Sequence, residues 1–181
     1  KVRRLVPYGV TVKVPVGTFF VAQDSSAQNM VTTAECRETL TTDDWVTIHA
    51  SSACASHARA IPGQRNRFAV QRSSHSVELV RLMPALDKAE VSYPVCQAAV
   101  WIVTDDVGYR DLGRLVSRPS FTPTVGVQII KEYEAAQAMK ICDEAGIDIT
   151  QKAIWQDRAT ILEGLEDAEL KIWLEARQTG R

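Results

Sequence analysis

The sequence predicts an α+β fold in which an N-terminal antiparallel β-sandwich or open barrel is followed by packed helices. Two observations predict this class. Before Ser76, apolar residues alternate with polar ones in short runs, which is typical of strands with one buried face. From Ser76 onward, apolar residues recur every three or four positions, as they do along one face of a helix. The length of 181 residues is enough for a good-sized core.

The first predicted strands lie in "YGVTVKVPVGTFFVA". Valines alternate there with smaller or polar residues from Val10 to Val16, and Pro15 and Gly17 punctuate the run. Further strand-like runs, separated by turns rich in Asp, Ser and Gly, are "QNMVTT", "WVTIHASSACA" and "RFAVQR". Short strands of this kind are most simply arranged as an antiparallel sandwich or open barrel.

Helical patterns fill the second half. "SVELVRLMPALDKA" predicts a short helix interrupted at Pro84, and "YPVCQAAVWIVTDD" predicts a second helix with Pro94 in its first turn, where a missing N–H is harmless. "VQIIKEYEAAQAMKICDEAG" predicts a helix that ends at Gly146, a suitable residue just past a helix end. "TQKAIWQDRATILEGLEDAELKIWLEA" predicts one long or two short helices with a break near Gly164.

The segment "RPSFTPTVG", between the second and third predicted helices, is predicted to be a loop because it holds two prolines. We therefore divide the chain into a β-rich core over residues 1–118, which includes the second helix, and a helical part over residues 119–181 packed on it. The chain begins at Lys1 without a signal-peptide pattern, so we expect it to be a fragment of a larger protein whose targeting signal lies outside it.

Composition excludes several classes of function. With 45% hydrophobic and 24% charged residues the chain is close to the globular average, and it has no apolar run long enough to span a membrane. A net charge of −1 gives no electrostatic case for a nucleic-acid partner. Nucleotide-binding glycine loops, nucleophile elbows and the common metal motifs are all missing, so we expect no cofactor.

The four cysteines are Cys36, Cys54, Cys96 and Cys142. No pair has the spacing of zinc ligands, so we expect no metal site, while one or two disulfides remain open if the protein is extracellular. Cys36 is interpreted as a turn or strand-edge residue and Cys142 as an inward-facing helical residue.

The run from Ser92 to Asp106 is apolar nearly all round, yet it contains Gln97. Burying a primary amide without partners costs about 1–3 kcal/mol, so Gln97 needs hydrogen-bonding groups. The neighbouring Cys96 projects about 100° away around a helix and is a poor partner for that amide. The acidic pair Asp105 and Asp106 that ends the run is interpreted as a solvated helix terminus.

Cys54 is the second residue of interest, because His57 follows it by three positions in "SACASHARAIPG". A histidine can favour the reactive thiolate, so one hypothesis is a hydrolase or transferase that uses Cys54 and His57. The alternative is a buried structural cysteine, since free cysteine is among the most buried residue types.

The sequence "VCQAAVWIV" resembles the signature of thioester domains of bacterial surface proteins. That signature has a hydrophobic residue, Gln, two residues, a hydrophobic residue and Trp, which Gln97, Val100 and Trp101 match. The family also has an upstream cysteine in a short apolar strand, to which "SACASHARAIP" is similar at Cys54. The resemblance covers roughly residues 45 to 108, and alanines flank Cys54 where the family usually has aromatic residues.

The resemblance implies an internal thioester between the sulfur of Cys54 and the side-chain carbonyl of Gln97, formed with loss of ammonia. Such a bond captures an amine or hydroxyl nucleophile on a partner protein or host surface, at most once per molecule. His57 would be a proton carrier, and Trp101 would shield the bond from water. The resemblance also implies adhesion and an extracellular or cell-surface location.

A second hypothesis keeps the same scaffold without the chemistry. In a non-catalytic binding or structural module, Gln97 would hydrogen-bond main-chain groups of the strand layer, a common arrangement for buried polar side chains.

Overall fold

The computed structural model describes residues 1–112 and 130–179 and confirms the α+β class. Within these ranges antiparallel strands come first and helices follow. The strands are β1 (Val10–Val14), β2 (Phe19–Ala22), β3 (Asn29–Thr32), β4 (Cys36–Leu40), β5 (Ser52–Ala55) and β6 (Phe68–Val70). The α-helices are α1 (Ser76–Ala89), α2 (Tyr93–Thr104), α3 (Glu132–Glu144), α4 (Arg158–Gly164) and α5 (Ala168–Thr179).

The strands form two antiparallel sheets. β1 and β4 make a two-stranded ribbon, and the other four make a sheet in the order β5-β3-β2-β6. In the larger sheet Cys54 lies opposite Met30 of β3. β5 is an end strand of that sheet, so the main-chain groups along one of its edges have no strand neighbour among the described residues.

Helix α2 is the centre of the molecule. Every residue from Val95 to Val103 is buried, because the helix packs against β5, α1 and α3. This position explains why its sequence is apolar nearly all round. The same hydrophobic cluster contains residues of the sheet and of the C-terminal helices, including Val31, Met139 and Leu174.

Several predicted elements are present with the expected ends. Pro94 lies in the first turn of α2. Beyond the end of α3, Gly146 has a φ of 74°, a conformation that glycine adopts without strain. The predicted break near Gly164 separates α4 from α5, and two 3-10 helices, Ile149–Gln151 and Ala153–Asp157, precede α4.

Other predictions were wrong in detail. α1 is not interrupted but continues through Pro84. Proline has no N–H, so the carbonyl of Val80, one turn earlier, lacks its helical hydrogen bond. Both Pro84 and Val80 are exposed. The run "WVTIHASSACA" forms strand only over Ser52–Ala55, apart from an isolated bridge at Val46. Strand β4 was not predicted; Cys36 is its first residue, which agrees with the interpretation of Cys36 as a strand-edge residue.

The predicted loop "RPSFTPTVG" and the boundary between 118 and 119 lie outside the described residues. Among the described helices, none is both long enough and apolar enough to cross a membrane.

Candidate functional site

The side chain of Gln97 joins α2 to the main chain of Cys54. The Cys54 N–H donates to Gln97 Oε1 at 2.9 Å, and Gln97 Nε2 donates to the Cys54 carbonyl at 2.8 Å. Both residues are buried, with exposed fractions of 5% for Cys54 and 4% for Gln97. The structure therefore brings together the cysteine and the glutamine that the sequence singles out, which are 43 positions apart.

This contact accounts for the buried amide. Cys54 lies on the end strand β5, and the Gln97 amide occupies the place at its edge that a further strand would take. One N–H and one C=O that would otherwise be buried without partners are both paired. Gln97 thus stabilises the packing of α2 against the sheet.

Tyr93 makes a third contact with this amide. Its hydroxyl donates to Gln97 Oε1 at 3.0 Å, so the oxygen accepts two hydrogen bonds, one from Tyr93 and one from Cys54. Tyr93 stands one helical turn before Gln97, a spacing that puts both side chains on one face. That spacing was the available signal for Tyr93, which the sequence analysis missed.

Trp101 lies one turn after Gln97 and is 1% exposed. Its Nε1 donates to Oε1 of the buried Gln28 at 3.3 Å, and its ring meets the edge of the His57 ring with centroids 4.7 Å apart. His57 Nε2 is buried and has no hydrogen-bond partner within the described part of the chain. The described ring contact of His57 is thus with Trp101.

Asp105 is not a solvated helix terminus, contrary to the sequence analysis. Its carboxylate accepts hydrogen bonds from the main-chain N–H groups of Ser56 at 3.1 Å and His57 at 2.9 Å. These residues form the turn after β5, where Ser56 has a φ of 120°, a strained value for a residue with a side chain. Asp106 accepts from the Ala153 N–H at 2.8 Å. The acidic pair therefore connects α2 to the β5 turn and to the C-terminal helices.

The thiols near the site are held neutral. Burial raises the pKa of Cys54 to about 11 and that of Cys96 to about 11. Burial also raises the pKa of the Tyr93 hydroxyl, and negative charge on Cys54 or Cys96 raises it further. A raised thiol pKa is the opposite of what a Cys54–His57 hydrolase needs, so the burial of Cys54 does not support that hypothesis.

We expect the free energy of unfolding to decrease as the pH rises from about 9 to about 11. Burial raises the pKa of Cys96 from an ordinary 9.0 to about 11 and that of Cys142 to about 12. In this pH window the unfolded chain loses thiol protons that the folded chain retains. The contribution of these thiols to the free energy of unfolding is therefore complete below the window and decreases as the pH rises across it. Urea midpoints measured across the window check this. A Cys142→Ala variant should show a shallower decrease, and an identical decrease in both proteins would contradict it.

Comparison of the chain with protein-family models, with curated proteins and with solved structures finds no match in any of the three. The resemblance to thioester domains lies in the motif around Gln97 and Cys54.

Proposed function

We propose that this chain is a thioester-forming capture domain, with Cys54 and Gln97 as its reactive pair. The observation that carries the proposal is the pair of hydrogen bonds between the Gln97 amide and the Cys54 main chain, at 2.9 and 2.8 Å. The proposed activity is capture of an amine or hydroxyl nucleophile of a partner protein or surface, once per molecule. A cell-surface or extracellular location and a role in adhesion belong to the same proposal.

The hydrogen bonds hold the electrophilic atom beside the main chain of the residue that carries the sulfur. Cδ of Gln97 is bonded to both Oε1 and Nε2, so it lies within a few ångströms of the Cys54 main chain, a separation that a cysteine side chain can span. An amide acylates a thiol slowly in water, and a fixed approach of the reacting atoms is the main way a protein accelerates such a step. Both residues are also buried away from competing water.

The reaction balances without an added reagent. Cys54 sulfur attacks Cδ of Gln97, the C–N bond breaks, and the nitrogen leaves as ammonia with the thiol proton. A later nucleophile attacks the same carbon, gives its proton to the sulfur, and forms an amide or ester while the Cys54 thiol is restored. A thiol with a raised pKa makes the first step slow, which a reaction that occurs once per molecule tolerates.

A groove of about 380 Å³ lies next to the site, and Tyr93, which donates to the Gln97 amide, is part of its wall. Tyr93 and Cys96 line the groove together with the acidic residues Asp87 and Glu90. Carboxylates in the lining of this groove favour the approach of a positively charged amine over a neutral hydroxyl. We therefore favour an amine as the captured group.

The same hydrogen bonds support a second function, a non-catalytic module in which Gln97 only supports the end strand. Both ends of the amide are paired, as such a module requires. The two functions differ in one covalent bond, so the mass of the folded protein separates them.

We expect the intact mass of the folded protein to be lower than the calculated mass by one ammonia molecule. The ammonia is lost when the Cys54 sulfur and the Gln97 side chain form the thioester. Electrospray mass spectrometry under mild conditions, without amine buffers, measures the deficit. Cys54→Ala and Gln97→Leu should each show their full calculated masses.

Cys96→Ala is the matched control, because Cys96 is also buried and adjoins Gln97 in sequence but makes no hydrogen bond with its amide among the described contacts. It should retain the deficit. A wild-type protein at its full calculated mass would refute the thioester and leave the non-catalytic module.

A further inference from the structure

We propose that Tyr93 is a catalytic residue of the thioester reaction: its hydroxyl and the Cys54 N–H together form an oxyanion hole for the side-chain carbonyl oxygen of Gln97. The proposal depends on the thioester function proposed above and adds a residue that the motif does not contain. Its basis is that Gln97 Oε1 accepts from Tyr93 at 3.0 Å and from Cys54 at 2.9 Å.

Negative charge develops on this oxygen both when the thioester forms and when a nucleophile is captured. When sulfur attacks Cδ, or when a nucleophile attacks the thioester, the carbonyl electrons move onto Oε1. Two donors already placed on that atom stabilise the negative charge without reorganising as the barrier is crossed. The oxygen moves little as the carbon becomes tetrahedral, so both donors remain within hydrogen-bonding distance.

One of the donors belongs to the nucleophile itself. In serine proteases, too, the main-chain N–H of the nucleophilic residue is one of the two oxyanion donors. A cysteine that attacks a carbonyl held by its own N–H reproduces that arrangement. The second donor there is another main-chain N–H, whereas here it is the Tyr93 side chain.

The surroundings of Tyr93 suit a donor. Burial of the hydroxyl raises its pKa, so the group stays protonated at neutral pH. Tyr93 as a whole residue is 58% exposed, and it lines the groove next to the site. Tyr93 therefore donates to the buried carbonyl and also borders a solvent-accessible groove.

The test is Tyr93→Phe, which removes the hydroxyl alone. The fraction of purified protein that lacks one ammonia is measured, followed by the rate at which methylamine adds to that fraction under native conditions. Removal of one oxyanion donor typically lowers a rate about 10²–10³-fold. Because this hydroxyl can be replaced in part by water, we expect capture at least about tenfold slower, with a smaller thioester fraction.

Tyr133→Phe is the matched control, since Tyr133 is also a partly exposed helical tyrosine but lies on α3. It should behave as wild type, and thermal midpoints of both variants verify that they are folded. A Tyr93→Phe protein with the wild-type deficit and capture rate overturns the proposal and leaves the thioester in place. A wild-type protein without the deficit overturns the thioester function itself, so the two failures are distinguishable.

Discussion

Trp101→Ala is expected to destabilise the protein by about 3–5 kcal/mol, the usual cost of truncating a fully buried tryptophan. Trp101 is 1% exposed, lies on the central helix α2 and contacts His57 edge to face. Its loss leaves a cavity in the core and removes the donor to Gln28 Oε1. Urea unfolding followed by circular dichroism measures the change.

Trp45→Ala is the control for this prediction. Trp45 is 63% exposed, and its described contact is with the guanidinium of Arg3, 5.2 Å from the ring centroid. An exposed cation–π contact contributes less than about 1 kcal/mol, so this variant should remain close to wild type. Equal decreases in the free energy of unfolding for the two variants would contradict the placement of Trp101 in the core.

Gln97→Leu is expected to lower the free energy of unfolding by about 2–4 kcal/mol relative to protein that retains the Gln97 amide, such as Cys54→Ala. The substitution preserves volume but leaves the Cys54 N–H and C=O buried without partners, and each such group costs about 1–3 kcal/mol. Added apolar surface offsets part of that cost. Chemical denaturation of the variant measures the loss.

Two comparisons separate the hydrogen bonds from a covalent bond. Cys54→Ala cannot form the thioester but keeps both main-chain hydrogen bonds, so Gln97→Leu should be the less stable of the two variants. Gln151→Leu, at an exposed glutamine, should change stability by less than about 0.5 kcal/mol. If Gln97→Leu were as stable as Gln151→Leu, the edge of β5 would not depend on the amide.

The pattern of elements could be predicted because it depends on local properties of the sequence. Alternating valines give β1, and an apolar run with Pro94 in its first turn gives α2. β4 could not be predicted in the same way, since Arg37 and Glu38 are poor strand formers and the strand depends on its pairing with β1. Pro84 suggested an interruption, but tertiary packing of α1 outweighs one lost hydrogen bond.

The site could be predicted in part. A buried amide requires partners, which identifies Gln97 as unusual, whereas its pairing with Cys54 came from the resemblance and not from spacing. The role of Asp105 could not be predicted from sequence, because its carboxylate accepts hydrogen bonds from the turn after β5, which lies 48 and 49 positions away in the chain. Contacts between distant main-chain and side-chain groups leave no periodic signal in the sequence.

The most direct test is to identify the bond at the level of single residues. Native protein is treated with methylamine, new thiols are alkylated, and the peptides are sequenced by mass spectrometry. If the proposed thioester forms, we expect an N-methylamide on Gln97 and a newly alkylated thiol at Cys54, both lost in Cys54→Ala. An unmodified Gln97 in protein of full calculated mass would contradict it.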